Sequence, residues 1–232
     1  MIRIRKSEAR GRADHGWLDT RHTFSFADYR DPNHDGFRTL RVLNEDRVAG
    51  GAGFGTHAHR DMEIVSYIVS GELAHRDDLG NGSTLKPGDV QRMSAGTGVR
   101  HSEKNPSPTE ASHFLQIWIV PERRGLEPGY EEATFTATDK RGRLRLLASG
   151  SPRDGALEIH QDVDLYGSVL GRGESVRHAL GEDRAAWVQI VHGHVTADGH
   201  ALRAGDGAAV TGVSSIDIDA HEESEFLLFD LA

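Results

Sequence analysis

Two short-spaced pairs of donor side chains stand out in the sequence. His57 with His59 follows the glycine-rich stretch Gly50–Thr56, and His101 with Glu103 follows Ser94–Gly98. In a strand, residues i and i+2 project to one face about 7 Å apart, so two donors at this spacing can reach one ion. If the two strands are neighbours, His57, His59, His101 and Glu103 offer three nitrogens and one oxygen. That set suits a divalent first-row metal with positions left open for water, substrate or oxygen. The chain has no cysteine and 14 histidines, so any metal site must be built from imidazole and carboxylate. A lone His-x-His in a histidine-rich chain is also what a surface or hydrogen-bonded pair looks like. On spacing alone both readings stay open.

These donors need strands to hold them. The runs Ile64–Val69, Phe114–Val120, Trp187–Val191 and Phe226–Phe229 are rich in β-branched, leucine and aromatic residues, too short for helices, and bounded by turn residues. With 27 glycines among 232 residues, the pattern predicts a sandwich or barrel of antiparallel sheet, with a short helix allowed around Pro121–Tyr130. An internal repeat supports two copies of one β-fold. Tyr67–Leu73 resembles Gln189–Val195 at an offset of 122, and Leu85–Asp89 resembles Leu202–Asp206 at an offset of 117. The polar stretch Glu131–Gly142 marks the boundary, giving expected domains of 1–133 and 143–232.

Composition excludes several classes. Lys plus Arg come to 27 against 36 Asp plus Glu, a net charge of −9, which argues against direct nucleic-acid contact. No apolar run approaches the roughly 18 residues of a membrane span. Met1–Gly16 lacks an apolar signal region, so a cytoplasmic location is expected, and a monomer. Gly96–Gly98 lacks the Lys-Ser/Thr of a phosphate loop, and no G-x-S-x-G, H-E-x-x-H or EF-hand pattern occurs.

Motifs extend the reading. Gly51-x5-His57-x-His59-x3-Glu63, followed by Gly71, resembles the first motif of the cupin superfamily. Gly88-x5-Ser94-Ala-Gly96, then His101 and Asn105, resembles the second. Three departures are present: seven residues between Glu63 and Gly71, Ser94 where proline is common, and four residues between Gly96 and His101. All three run toward the pirins. His22–Tyr29, Thr56–Ile64, His75–Asn81 and Met93–Glu103 resemble pirin signatures in order, and the likeness is closest to short bacterial members with quercetin 2,3-dioxygenase activity. The resemblance implies an all-β bicupin, two double-stranded β-helix (jelly-roll) barrels packed together. It also implies His57, His59, His101 and Glu103 as ligands of one divalent metal, expected to be iron(II), with manganese, nickel, copper and zinc compatible. Glu63 holds the ordinary cupin carboxylate position, but pirins take that ligand from the second motif, so a paired charge near the barrel mouth is expected there.

The implied activity is opening of the central ring of a flavonol such as quercetin by O2, with release of carbon monoxide. Glu103 is the expected general base for the 3-hydroxyl. The alternative is an iron-dependent, redox-sensing regulator acting through a protein partner, and other small-molecule cupin chemistry uses the same fold.

Applied to the second copy, the offsets place Ala179, Gly181 and Ala185 at the positions of His57, His59 and Glu63. They place Ile218 and Ala220 at those of His101 and Glu103, with His178 one residue out of register. A metal-free, structural C-terminal barrel is expected. His192 and His194 align with a turn and read as solvated. His75 and His113 fall on strands of the first barrel and read as core or hydrogen-bonded histidines able to line its pocket, while His15 and His22 belong to the N-terminal signature with no readable role.

Overall fold

The computed structural model describes residues 1–232. In chain order the first strands are β1 (Ile2–Arg5), β2 (Gly11–Asp14), β3 (Leu18–His22), β4 (Leu40–Val48), β5 (Gly53–His59) and β6 (Glu63–Ser70). They continue with β7 (Leu73–Asp77), β8 (Gly82–Leu85), β9 (Asp89–Ser94), β10 (Val99–Lys104), β11 (Ser112–Ile119) and β12 (Gly129–Thr134). Strands β2–β12 form the first barrel from a seven-stranded sheet, ordered β12-β9-β6-β11-β4-β3-β2, and a four-stranded sheet, ordered β5-β10-β7-β8. Ile68, Leu73, Leu85 and Phe114 meet in one part of its core, and Ile64, Met93 and Val99 in another. All four apolar runs singled out in the sequence lie in strands, save Val120, which follows the end of β11 and is exposed.

The chain divides into two compact units, Gly11–Thr134 with Leu157–Gln161, and Met1–Arg10 with Phe135–Ala156 and Asp162–Ala232. The first ten residues therefore belong with the C-terminal half, which a single cut between 133 and 143 does not capture. The reason is pairing: β1 runs antiparallel to Gly207–Val210, Ile2 and Ile4 pack on the C-terminal core, and Asp206 accepts hydrogen bonds from Ser7 N (2.8 Å) and Lys6 Nζ (2.9 Å).

The short helix that the sequence allowed around Pro121–Tyr130 does not form. Gly125 has a positive φ of 70° and donates its N–H to Asp61 Oδ1 at 2.7 Å, while Leu126 O accepts from Thr97 N at 2.9 Å. The backbone groups a helix would need are thus committed to other loops before β12 begins. The one α-helix is the single turn Ala137–Lys140, started by a Thr136–Asp139 capping box.

The second unit repeats the arrangement. Its main sheet places Gly207–Val210, Ala185–His192, Ser224–Leu231 and Val163–Leu170 side by side, and its smaller sheet runs Ser175–Ala179, Ser215–Ala220, His194–Ala197, His200–Arg203. Gly71 and Gly193 occupy the same left-handed turn, with φ of 72° and 87°. Register corrects the alignment further along. Ser175↔Asp219 and Val176↔Ile218 match Gly53↔Lys104 and Phe54↔Glu103, and His178↔Ile216 then matches His57↔His101. The first barrel carries a bulge here, and the second copy has 11 residues between Asp206 and Ile218 where the first has 13 between Asp89 and Glu103. As a result His178, not Ala179, stands at the His57 position, Leu180 at that of His59, and Ile216 and Ile218 at those of His101 and Glu103. His178 Nε2 lies 2.7 Å from Asp230 Oδ2, and Asp230 is also held by Arg184.

Candidate metal centre

Strand β5 lies antiparallel to β10, with His57 opposite His101 and His59 opposite Val99. The close approach depends on Gly53, where a Cβ would fall 2.4 Å from Glu103 O. Alternation puts His57 and His59 on one face, and the rings of His57, His59 and His101 converge with centroids 4.5–4.9 Å apart. Their ligating nitrogens lie within 4.8 Å of one another.

The hydrogen-bond network sets the tautomers. His57 Nδ1 donates to Gly55 O at 2.8 Å, so its Nε2 carries a lone pair. Asp77 Oδ2 takes the Nε2 proton of His75 at 3.1 Å, leaving His75 Nδ1 to accept from His101 Nδ1 at 3.5 Å. His101 Nε2 is then bare as well, and it faces His57 Nε2 at 3.1 Å. Two lone pairs aimed at each other repel unless a cation sits between them, so the donor set fits a divalent metal. Burial, followed by electrostatic opposition from neighbouring His57 to a second positive ring, lowers the pKa of His59 to about 4. Burial and the neighbouring histidines lower that of His101 to about 3, so both rings are neutral and ready to ligate at physiological pH.

Glu103 is fully buried and groups with His101 and His75 rather than with His57 and His59. Its Oε1 accepts from Gln91 Nε2 and its Oε2 from Gln116 Nε2, both at 2.8 Å. Burial raises its pKa, against the opposing pull of His75, His57 and the hydrogen bonds of Ser66 and Gln91, making it a better proton acceptor than an exposed carboxylate. Glu63 stands apart: its Oε2 accepts from Ser94 Oγ (2.9 Å) and His160 N (3.2 Å), and it joins no donor cluster. Asn105 clamps a turn, donating to Val48 O and Glu110 O.

Above the imidazoles opens a cavity of about 660 Å³, a size suited to a small-molecule ligand. His57, His59 and Glu103 lie in its wall with Trp17, Phe26, Phe54 and Trp118. Trp118 meets the His59 ring edge-on at 5.0 Å and Phe26 at 5.4 Å, while Trp17 meets Phe54 at 5.2 Å. Asp46, whose Oδ1 accepts from Thr20 Oγ1, also faces the cavity. Burial pushes its pKa up to about 7, with Thr20 opposing and the charges of Glu103 and Glu45 adding.

The pirin profile matches residues 3–119, and a profile described as the quercetinase C-terminal cupin domain matches residues 146–231. The chain belongs to the pirin family. A quercetin 2,3-dioxygenase of Escherichia coli K12 is 48% identical over 231 residues, covering 100% of this chain and 99% of its own. A pirin-like protein of Caulobacter vibrioides is 42% identical over 233 residues, with full coverage of both chains. The E. coli pirin YhhW, solved in complex with nickel(II), matches with a TM-score of 0.95 at 48% identity over 100% of this chain and 99% of that one.

Within this pirin, several histidines fall differently from their sequence expectation. His15 and His22, without a readable role in the sequence, both line the cavity, and His22 Nδ1 bonds Asn44 Oδ1 at 3.0 Å. His75 is hydrogen-bonded, as its strand position suggested, but it supports His101 from behind rather than lining the cavity. His113 pairs with Glu45 Oε1 at 3.0 Å, outside the cavity. His192 is exposed, whereas His194 begins a strand and is half-buried against His221, with ring centroids 4.7 Å apart. Gln91, Gln116, Asp46 and Trp118 were missed altogether. Each sits at a strand position where inward orientation, legible only as alternation, gives a polar or aromatic side chain its role.

Proposed function

We propose that this pirin is a metal-dependent dioxygenase acting on flavonols of the quercetin type, opening the central ring with O2 and releasing carbon monoxide. The observation that carries the reading is the convergence of three imidazoles, two of which, His57 and His59, line an aromatic-walled cavity. The names of the E. coli relatives support it. His57, His59 and His101 would hold the metal, with Glu103 as the fourth ligand. Iron(II) is the first choice; the nickel(II)-bound relative shows that the E. coli pirin accepts nickel. When bound, the metal supplies a Lewis acid with open positions for the 3-hydroxyl and adjacent carbonyl oxygens. Glu103 takes the 3-hydroxyl proton, aided by the burial that raises its pKa. Gln91 and Gln116 hold its two oxygens in place for that transfer. Trp118, Phe26 and Phe54 flank the flat rings and exclude water from the reacting face.

The test is O2 uptake with quercetin by iron(II)-loaded protein, beside a His57→Ala/His59→Ala variant. Uptake that requires both the metal and the two histidines is the expected result. No uptake above the variant, with one metal per chain confirmed, would shift the assignment to a redox-sensing regulator.

A further inference from the structure

Of the polar groups in the cavity wall that the chemistry above does not use, Asp46 is the buried carboxyl that keeps one oxygen open to the cavity. Asp46 lies on β4, only 4% exposed, two residues beyond Asn44 on the same inward face, a step of about 7 Å. Asn44 is paired across the sheet with Gln116, the residue that holds Glu103, and its Oδ1 is engaged by His22. Gln116 is committed to Ser66 and Glu103. Asp46 is placed differently. Thr20, its partner on β3, anchors Oδ1, while Oδ2 has no hydrogen-bond partner in the protein and the residue lines the cavity. Because Oδ2 is not among the side-chain atoms buried without a partner, it is open to the cavity and free to hydrogen-bond a ligand there. The surrounding wall is aromatic, so the group that completes it belongs to a ligand that is mostly apolar and carries a polar substituent.

We infer that Asp46 is a specificity-determining residue whose Oδ2 hydrogen-bonds a phenolic hydroxyl other than the one that binds the metal, so that the site selects polyhydroxylated planar aromatics. The inference rests on the flavonol reading of the same cavity and names the part of the substrate that is recognised. One oxygen is fixed by Thr20, so the other is held in one direction before a ligand arrives, and little ordering is lost on binding. With its pKa near 7, the carboxyl can either give or take the shared hydrogen at neutral pH.

The experiment compares two ligands on metal-loaded protein without O2, followed by tryptophan fluorescence quenching. Quercetin carries several phenolic hydroxyls; 3-hydroxyflavone carries only the one adjacent to the carbonyl. Wild type should bind quercetin more tightly. Asp46→Ala should weaken quercetin roughly tenfold, the loss of one hydrogen bond, and leave 3-hydroxyflavone within about twofold. Asp46→Asn, which keeps the shape and guards against misfolding, should give an intermediate loss with quercetin alone. Equal weakening of both ligands, unchanged quercetin binding, or no preference in the wild type would overturn the inference. Binding is read without turnover, so a preserved preference in protein that consumes no O2 would refute the dioxygenase reading and leave the role of Asp46 standing.

Discussion

At the scale of single residues, the donor groups matter less than what fixes their protons. The Asp77–His75–His101 chain sets which nitrogen of His101 is bare, and His57 is set by its own backbone at Gly55 O. Groups that orient a ligating histidine usually contribute ten- to a hundredfold to metal affinity. His75→Phe should therefore weaken metal binding by about that factor in a chelator competition while the far-ultraviolet circular dichroism stays unchanged; wild-type affinity would rule out the relay. Acid should expose a second property. His59 and His101 have pKa values of about 4 and about 3 when folded, below the roughly 6.5 of an unfolded histidine. Below pH 6.5 the unfolded chain takes up protons that the folded one refuses, so the metal-free protein should lose stability steadily from about pH 6.5 down through pH 4. A thermal melt of His101→Asn across that window should fall less steeply than wild type, and parallel curves would contradict the assignment.

At the scale of elements, the site depends on how closely β5 lies on β10. Gly53 permits that contact, because any Cβ there would collide with Glu103 O at 2.4 Å. Gly53→Val should cost at least about 2 kcal/mol of stability and lower metal occupancy, since the β5 histidines would move away from His101. A variant that melts and binds metal like wild type would show that the strands do not need that approach. The same element explains a correction. A bulge in the first barrel shifts β5 by one residue relative to β10, and sequence offsets carry no sign of a bulge. His178 therefore proved to be the His57 counterpart, where constant offsets had put it out of register. In that barrel Ile216 and Ile218 face it in place of donors, and its imidazole is spent on Asp230.

At the scale of the whole molecule, the N-terminal strand is claimed by the C-terminal unit. Asp206, 3% exposed, is the clasp: it accepts from Ser7 N, Lys6 Nζ and Arg203 N at 2.8–3.0 Å. Asp206→Ala removes three part-buried hydrogen bonds, one of them charge-assisted from Lys6, and should cost about 2 kcal/mol, or roughly 4–8 °C in Tm, while metal content per chain stays at the wild-type level. A variant as stable as wild type would show that β1 is held by its strand pairing alone. The sequence by itself determined the strand-rich fold, the twofold repeat and the His57, His59, His101 and Glu103 spacing, because alternation, turn residues and i, i+2 donors are local patterns written along one chain. Tertiary structure decided the rest. It assigned the proton on His101 through His75 and the two amides on Glu103, put His22 and Asp46 into one cavity, and gave the first ten residues to the second unit. Each of these joins strands far apart in sequence, and strand pairing and register, which no local pattern encodes, determine which side chains meet.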